Sequence, residues 1–313
     1  MNKQISIIMP YLNESDMPNN TIESIYTTAD SNKIKIIAID DNSDDKNKTV
    51  LKDFPNVCSI KNDKRMGVDW CRQKGVELAD TKEILVIDGH MVFRNDNWLE
   101  KMVLLISKEP KTIWCTTCLG LGYGANKIEE HKGKYYGADL RLLSDQEKDR
   151  PCRQILEPRW ATEKSEKDYK IGCPLGANYF FNRDYFLNIH GLRGLRSWGS
   201  SEPFLGLKSY LAGGDCKITK EIEIGHFFRS EAPYVTGIKF LVYNKVFVLK
   251  TIFPKELEDK LMKYLPKDRN YNDAMQMIEA DKALIEQEKQ YYQSIFKCSV
   301  YDYCKRFNIE IPN

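Results

Sequence analysis

The chain is 313 residues long, 42% apolar and 29% charged, with 47 Lys+Arg against 45 Asp+Glu for a net charge of +2. That length fits one large domain or two modest ones, and the composition excludes wholesale disorder and collagen-like or low-complexity classes. A charge this near neutral excludes a chain-wide polybasic field and leaves only local patches for anions.

Met1 to Gln4 lead directly into Ile5-Ser6-Ile7-Ile8-Met9, an apolar run too short for a signal-peptide core or a membrane span. It reads as a strand of the kind buried on both faces of a parallel sheet, ended by Pro10. Asn19 and Asn20 offer N-caps for a helix through Ile22 and Ile25. Ile34–Ile39 predicts a second strand, running into Asp40-Asp41-Asn42-Ser43-Asp44, and Val57–Ile60 a third. A helix through Trp70, Gly75 and Leu78 follows, then a fourth strand, Ile84–Ile87, which runs into Asp88. This alternation predicts a doubly wound α/β domain with a mostly parallel sheet.

From about 110 to 170, strand-like pieces such as Thr112-Ile113-Trp114 mix with Gly-rich and charged stretches, and 163–170 is expected to be an exposed, mobile loop. Cys115 and Cys118 form one CxxC with no second pair at zinc-finger spacing, so they are expected to be core residues. Phe240-Leu241-Val242-Tyr243 is apolar but is cut by Asn244 and Lys245. Beyond Pro254 the spacing of Leu257, Leu261, Leu265, Ile278 and Ile285 is helical. The expected division is an α/β domain over 1–253 and a helical appendage over 254–313. That appendage packs on the domain or forms a homodimer contact. The scattered, odd-numbered cysteines and the lack of a membrane segment lead to the expectation of a cytoplasmic protein.

In open α/β sheets, ligands bind beyond the carboxyl ends of the strands. Asp40/Asp41 and Asp88-Gly89-His90 occupy two such ends. The glycine lets Asp88 and His90 turn toward one point, and a carboxylate with an imidazole suits Mn2+, or a similar ion such as Mg2+, better than Ca2+. A lone strand-end Asp is more often a turn former or cap. A DxH after an apolar strand tips the reading toward a metal that neutralises a diphosphate.

Taken in order, Ile8-Met9-Pro10-Tyr11-Leu12-Asn13-Glu14, Ile39-Asp40-Asp41-Asn42-Ser43, Arg65-Met66-Gly67-Val68 and Ile87-Asp88-Gly89-His90 resemble the opening of a family 2 glycosyltransferase with a GT-A fold. The closer resemblance is to the polypeptide N-acetylgalactosaminyltransferases, which carry DxH where DxD is commoner. Asn182-Arg183-Asp184-Tyr185-Phe186, Trp198-Gly199-Ser200-Ser201-Glu202, Leu211-Ala212-Gly213-Gly214 and Gly225-His226-Phe227-Phe228-Arg229 with Pro233-Tyr234 are similar to that family's second half.

The resemblance implies a UDP-sugar donor with Asp41 on the uridine, Asn13 and Glu14 lining the same pocket, and Arg65 facing the donor. It implies Asp88, His90 and His226 as ligands of Mn2+. Arg229 would balance the leaving diphosphate, a salt bridge being the alternative. Tyr234 would touch the donor, and Gly176 and Ala177 would let the backbone approach its sugar. His131 and His190 have no such support and read as structural.

One departure falls in the tryptophan segment. The family's acid comes three positions after the tryptophan, where this chain has Ser201, and Glu202 comes one later. One residue on a helix turns a side chain by about 100°, so Trp198 and Glu202 are the expected catalytic pair with the acid's role open. The resemblance implies retention of anomeric configuration, with an inverting reaction using Glu202 as base as the alternative. Neither a lectin module nor a membrane anchor is expected, and with them absent mucin-type modification in a secretory organelle is not expected. The acceptor stays open between a protein Ser/Thr, a glycan and a hydroxymethylated base in phage DNA. A reading of another class is a non-catalytic nucleotide-sugar binder, or a scaffold whose helical tail holds a partner.

Overall fold

A computed structural model describes residues 3–44, 46, 48–123, 128–144, 152, 154–162, 170–229 and 234–312. The first half runs β1 (Ile5–Tyr11), α1 (Met17–Thr28), β2 (Ile34–Asp40), β3 (Val57–Lys61), α2 (Val68–Leu78), β4 (Glu83–Ile87), β5 (Met91–Phe93) and α3 (Trp98–Lys108). The middle comprises β6 (Thr112–Tyr123), β7 (Ile128–Tyr135), β8 (Ala138–Leu143), β9 (Ile155–Trp160), β10 (Asn178–Asn182), α4 (Arg183–Asn188), α5 (Ser201–Leu211) and β11 (Asp215–Phe227). The chain ends in α6 (Ile238–Ile252), α7 (Lys255–Met262), α8 (Arg269–Ala280), α9 (Lys282–Ile295) and α10 (Val300–Arg306). Except for Lys170, the charged stretch 163–170 lies outside the described residues.

One sheet orders its strands β3-β2-β1-β4-β10-β6-β11-β5, with β7 added to β6; β8 and β9 form a separate two-stranded sheet. From β3 to β4 every pairing is parallel, and β10 then enters antiparallel. Every residue of β1 is buried, as a strand covered on both faces requires. The strand runs through Pro10 to Tyr11 and does not stop at the proline. The β1–β4 ladder ends at Ile8↔Val86, so a missing N–H beyond that point is tolerated. Helix α2 lies so close on this sheet that a Cβ at Gly75 would come within 2.3 Å of Ile8 Cγ2.

Helix α1 begins at Met17, with Asp16 at its N-cap, so Asn19 and Asn20 sit inside it. Asn19 is instead buried as a tie: its amide nitrogen donates to Asp16 and to the Val50 carbonyl, and its oxygen accepts from the Lys52 amide. The helical layer begins at α6, earlier than the sequence suggested. Asn244 and Lys245, which looked like a break, are fully buried in α6 with partners of their own. Leu257, Leu261, Leu265, Ile278 and Tyr292 of the following segments are buried in the same apolar cluster as Ile8 and Val86 of the sheet. The three leucines alone contribute on the order of 5–9 kcal/mol of apolar burial. Cys115 and Cys118 are buried in that cluster, and burial pushes the Cys115 thiol up to about 12.

Candidate active site

The carboxyl ends of β1, β2 and β4 open on one side of the sheet, and β11 brings a second half of the chain to meet them. Asp88 leaves β4 with its amide donating to the Ala177 carbonyl at 3.1 Å. His90 precedes β5, whose antiparallel ladder with β11 pairs Met91 with His226. That pairing sets the two imidazoles together, Nε2 to Nε2 at 3.1 Å, with His226 Nε2 3.5 Å from Asp88 Oδ2. The ligand atoms of Asp88, His90 and His226 all lie within 4.8 Å of one another, the only such group among the described residues. Two neutral ring nitrogens facing each other repel through their lone pairs unless a proton or a cation lies between them. One carboxylate with two imidazoles therefore fits a divalent cation that accepts nitrogen as well as oxygen, and leaves coordination positions open.

The electrostatics agree. Burial alone would raise Asp88, but the hydrogen bond with His226 and the charges of Arg72 and His90 hold it well below the usual carboxylate range. Burial lowers His90, with Asp88 opposing and Arg72 assisting, which favours the neutral ring that a metal needs. Arg72 itself was not foreseen. Its Nη2 donates to Asp88 Oδ1 and to the Gly176 carbonyl, each at 2.8 Å. Its Nη1 lies 3.5 Å from Asp69 Oδ1. The signal was available: Asp69, Arg72 and Val76 share one buried face of α2, and opposite charges at i,i+3 in line with a core valine are not a solvated pair.

The other expected residues divide. Glu14 is buried and takes Arg229 in a bidentate ion pair, Nη1 to Oε1 at 3.0 Å, while its Oε2 lies 3.2 Å from His90 Nδ1. Arg229 is thus a salt-bridge partner, the alternative named for it. Asp41 lines the smaller of the two cavities that meet beside Asp88 and His90, yet its carboxylate accepts from the Met66 and Gly67 amides at 2.7 Å and from Asn62 at 2.9 Å. It organises the turn into α2. Asn13 does not line that cavity; it accepts from the Asp44 amide and locks the loop after β2. Arg65 does line it, donating to the Val235 carbonyl at 2.8 Å with its guanidinium 5.1 Å from the Tyr234 ring centre.

The larger cleft, about 650 Å3, shares Arg72, Asp88, His90, Trp198 and Tyr234 with the smaller one. Ser201 and Glu202 both line it, as do Gly176 and Ala177. A Cβ at Gly176 would meet Glu202 Oε1 at 2.6 Å, so the glycine gives the carboxylate its room. Burial raises Glu202 above the usual range. Trp160, missed in the sequence because β9 is remote from every motif, stands edge-on to His226 and Phe228, with ring centres 6.1 and 5.7 Å away. His190 pairs with Glu288 at 2.8 Å, far from this cluster in role; the His131 side chain lies outside the described residues.

Sheet and helices together define the GT-A architecture. A family model described as Glycosyl transferase family 2 matches residues 6–189, more than half of the chain, and the chain belongs to that family. Among curated relatives, polypeptide N-acetylgalactosaminyltransferase 9 of Homo sapiens is 22% identical over 249 residues, covering 76% of this chain and 40% of its own length. N-acetylgalactosaminyltransferase 7 of Drosophila melanogaster is 25% identical over 244 residues, covering 74% and 40%. The chain thus spans about two-fifths of the length of these relatives. In fold it is similar to GalNAc-T7, solved with UDP, GalNAc and Mn2+, at TM-score 0.71 and 18% identity over 97% of this chain and 57% of that one. It is also similar to residues 1–349 of S. aureus TarS in complex with UDP-GlcNAc, at TM-score 0.50 and 12% identity over 83% and 70%.

Proposed function

We propose that this protein is a metal-dependent glycosyltransferase that moves a sugar from a UDP-sugar to an acceptor hydroxyl. The observation that carries the reading is the convergence of Asp88, His90 and His226 where two cavities meet. GalNAc-T7 was solved with UDP and Mn2+ and TarS with UDP-GlcNAc, which supports a uridine diphosphate donor and Mn2+, or Mg2+, at the three ligands. When bound, the cation supplies Lewis-acid stabilisation of the leaving diphosphate. Asp88 holds it as an ionised carboxylate and the two histidines as neutral rings. Asp41 and Arg65 lie on the nucleotide side. Trp198, Glu202, Gly176 and Ala177 lie on the sugar side, where Glu202 accepts from a hydroxyl and orients it.

Retention of configuration is the reading that the family resemblance of the motifs implies. One observation favours the inverting rival: burial raises Glu202, which makes it a better proton acceptor than an ordinary carboxylate. NMR of the product's anomeric proton separates the two. The acceptor is a protein Ser/Thr, a glycan or a hydroxymethylated base in DNA, and a donor-by-acceptor screen read by mass spectrometry identifies it. Among the described residues no helix is long and apolar enough to cross a membrane. All nine cysteines are free, which supports a reducing, cytoplasmic location. Dimerisation through the C-terminal helices draws no support from their apolar faces, which are spent on the core. The decisive experiment follows UDP release from UDP-sugars with Mn2+ and with EDTA. Release is expected only with the cation, and full turnover in chelator would end the metal-dependent reading.

A further inference from the structure

We propose that Arg72 is the positioning residue of the metal site, reserving one carboxylate oxygen of Asp88 so that only the other binds the cation. The inference rests on the metal-binding reading above and deepens it, by stating which atom of Asp88 coordinates and what fixes it.

Asp88 is approached from two sides. Arg72 Nη2 lies 2.8 Å from Oδ1, and His226 Nε2 lies 3.5 Å from Oδ2. The oxygen that faces the imidazoles is therefore the one Arg72 leaves alone. The same Nη2 holds the Gly176 carbonyl at 2.8 Å, so one nitrogen ties the end of β4 to the loop beside Glu202. The guanidinium cannot swing away. Its side chain is 6% exposed, Asp69 stands 3.5 Å from Nη1, and the Tyr179 ring centre is 5.9 Å from its central carbon. Asp69 is itself fully buried. A planar fork can serve several acceptors in fixed directions, and a lysine ammonium at that position cannot reproduce the set.

The consequence is a choice among metals. Ca2+ favours many oxygens and readily takes a carboxylate by both of them, whereas small octahedral cations take one oxygen at a short distance. An Asp88 held to one oxygen, beside two imidazoles, disfavours Ca2+. Freeing Oδ1 should weaken Mn2+ binding by about 10- to 100-fold, the scale for outer partners of metal ligands. It should also narrow the preference for Mn2+ over Ca2+.

The test measures binding, not turnover. Mn2+ and Ca2+ are titrated into the full chain without donor, by calorimetry or by the Mn2+ paramagnetic signal, for wild type, Arg72→Lys and Asp88→Asn. Arg72→Gln replaces Arg72→Lys should the lysine variant melt below the assay temperature. The expected result is weaker Mn2+ binding and a ratio of Mn2+ to Ca2+ affinities lower by about fivefold or more, a smaller change than the loss in Mn2+ affinity. A merely structural arginine would lower both affinities together, so an unchanged ratio overturns the proposal. Asp88→Asn separates the two levels. If it binds Mn2+ as wild type does, the ligand set is wrong and the inference falls with it. If it loses Mn2+ while the arginine variant keeps wild-type affinities, only the role of Arg72 is refuted.

Discussion

At the mouth of the sheet Arg72 and Asp69 are buried beside Asp88 and His90, and where α5 packs against the helical layer Lys208, Lys245 and Glu288 are buried just as deeply. There, fixed protein groups close each charge. Lys208 donates to the Gly191 carbonyl and to Tyr292 Oη at 3.2 Å, and lies 3.7 Å above the Phe204 ring. Lys245 donates to the carbonyls of Ile155 and Leu156, with Glu157 at 3.7 Å. Glu288 pairs with His190 at 2.8 Å and Arg193 at 3.2 Å. At the mouth, by contrast, two imidazole nitrogens and a carboxylate oxygen point at one another beside open space. Buried charge alone is thus weak evidence of function. Ligand atoms of the same kind converging next to a cavity are stronger evidence.

That contrast is testable from both sides. Asp88→Asn or His226→Ala should lower turnover by about 10³-fold, as loss of an electrostatic stabiliser of the leaving group does. The melting temperature of the metal-free His226→Ala protein should move little, whereas Asp88→Asn also takes a charge partner from the buried Arg72 and should melt lower; initial rates and a thermal melt check both parts. Glu288→Gln should do the reverse. Removing the charge leaves His190 and Arg193 without their carboxylate partner and should cost about 3–5 kcal/mol of stability in urea unfolding. Mn2+ affinity should not change, and a loss of metal affinity in that variant would break the division between the two regions. Glu202→Gln should reduce turnover by about 10²-fold with UDP affinity held. A wild-type rate would remove Glu202 from the reacting side of the cleft.

The N-terminal half was legible because β1, β2 and β4 are near-continuous apolar runs buried at almost every position. Its strand ends therefore pointed to Asp41 and to Asp88-Gly89-His90. Strand β11 hid itself because one run, Asp215–Phe227, alternates charged and apolar residues with several partly exposed positions. Helix α6 hid for the opposite reason. Its polar Asn244 is buried with four hydrogen bonds to the 196–199 turn, so a polar residue in an apolar run was a tie and not a break. What no local pattern can show is pairing across the chain. Glu14 meets Arg229 across 215 residues, and Arg72 meets Gly176 across 104. The candidate ligands could be named from their own motifs, whereas the groups that hold them in place had to be seen.

The smallest change asks whether the position of Glu202 matters as well as its charge. Gly176 has no side chain to keep the carboxylate out, and a Cβ there would lie 2.6 Å from Oε1, 3.1 Å from Cδ and 3.5 Å from Cγ of Glu202. All three contacts are to one flexible side chain, so Gly176→Ala should displace the acid and leave the backbone in place. The Gly176 carbonyl, and with it the bond from Arg72, is retained. Stability should change by less than about 1 kcal/mol, because an alanine also reduces the freedom of the unfolded chain. Turnover should fall by about 10-fold, since a catalytic group moved by about 1 Å can cost up to about 10²-fold. UDP affinity should hold, as the nucleotide lies against Asp41 and Arg65 on the proposed reading. A wild-type rate in Gly176→Ala together with a slow Glu202→Gln would mean that the carboxylate acts by its charge from a range of positions. Wild-type rates in both would confine the chemistry of the mouth to the metal ligands and the residues that hold them.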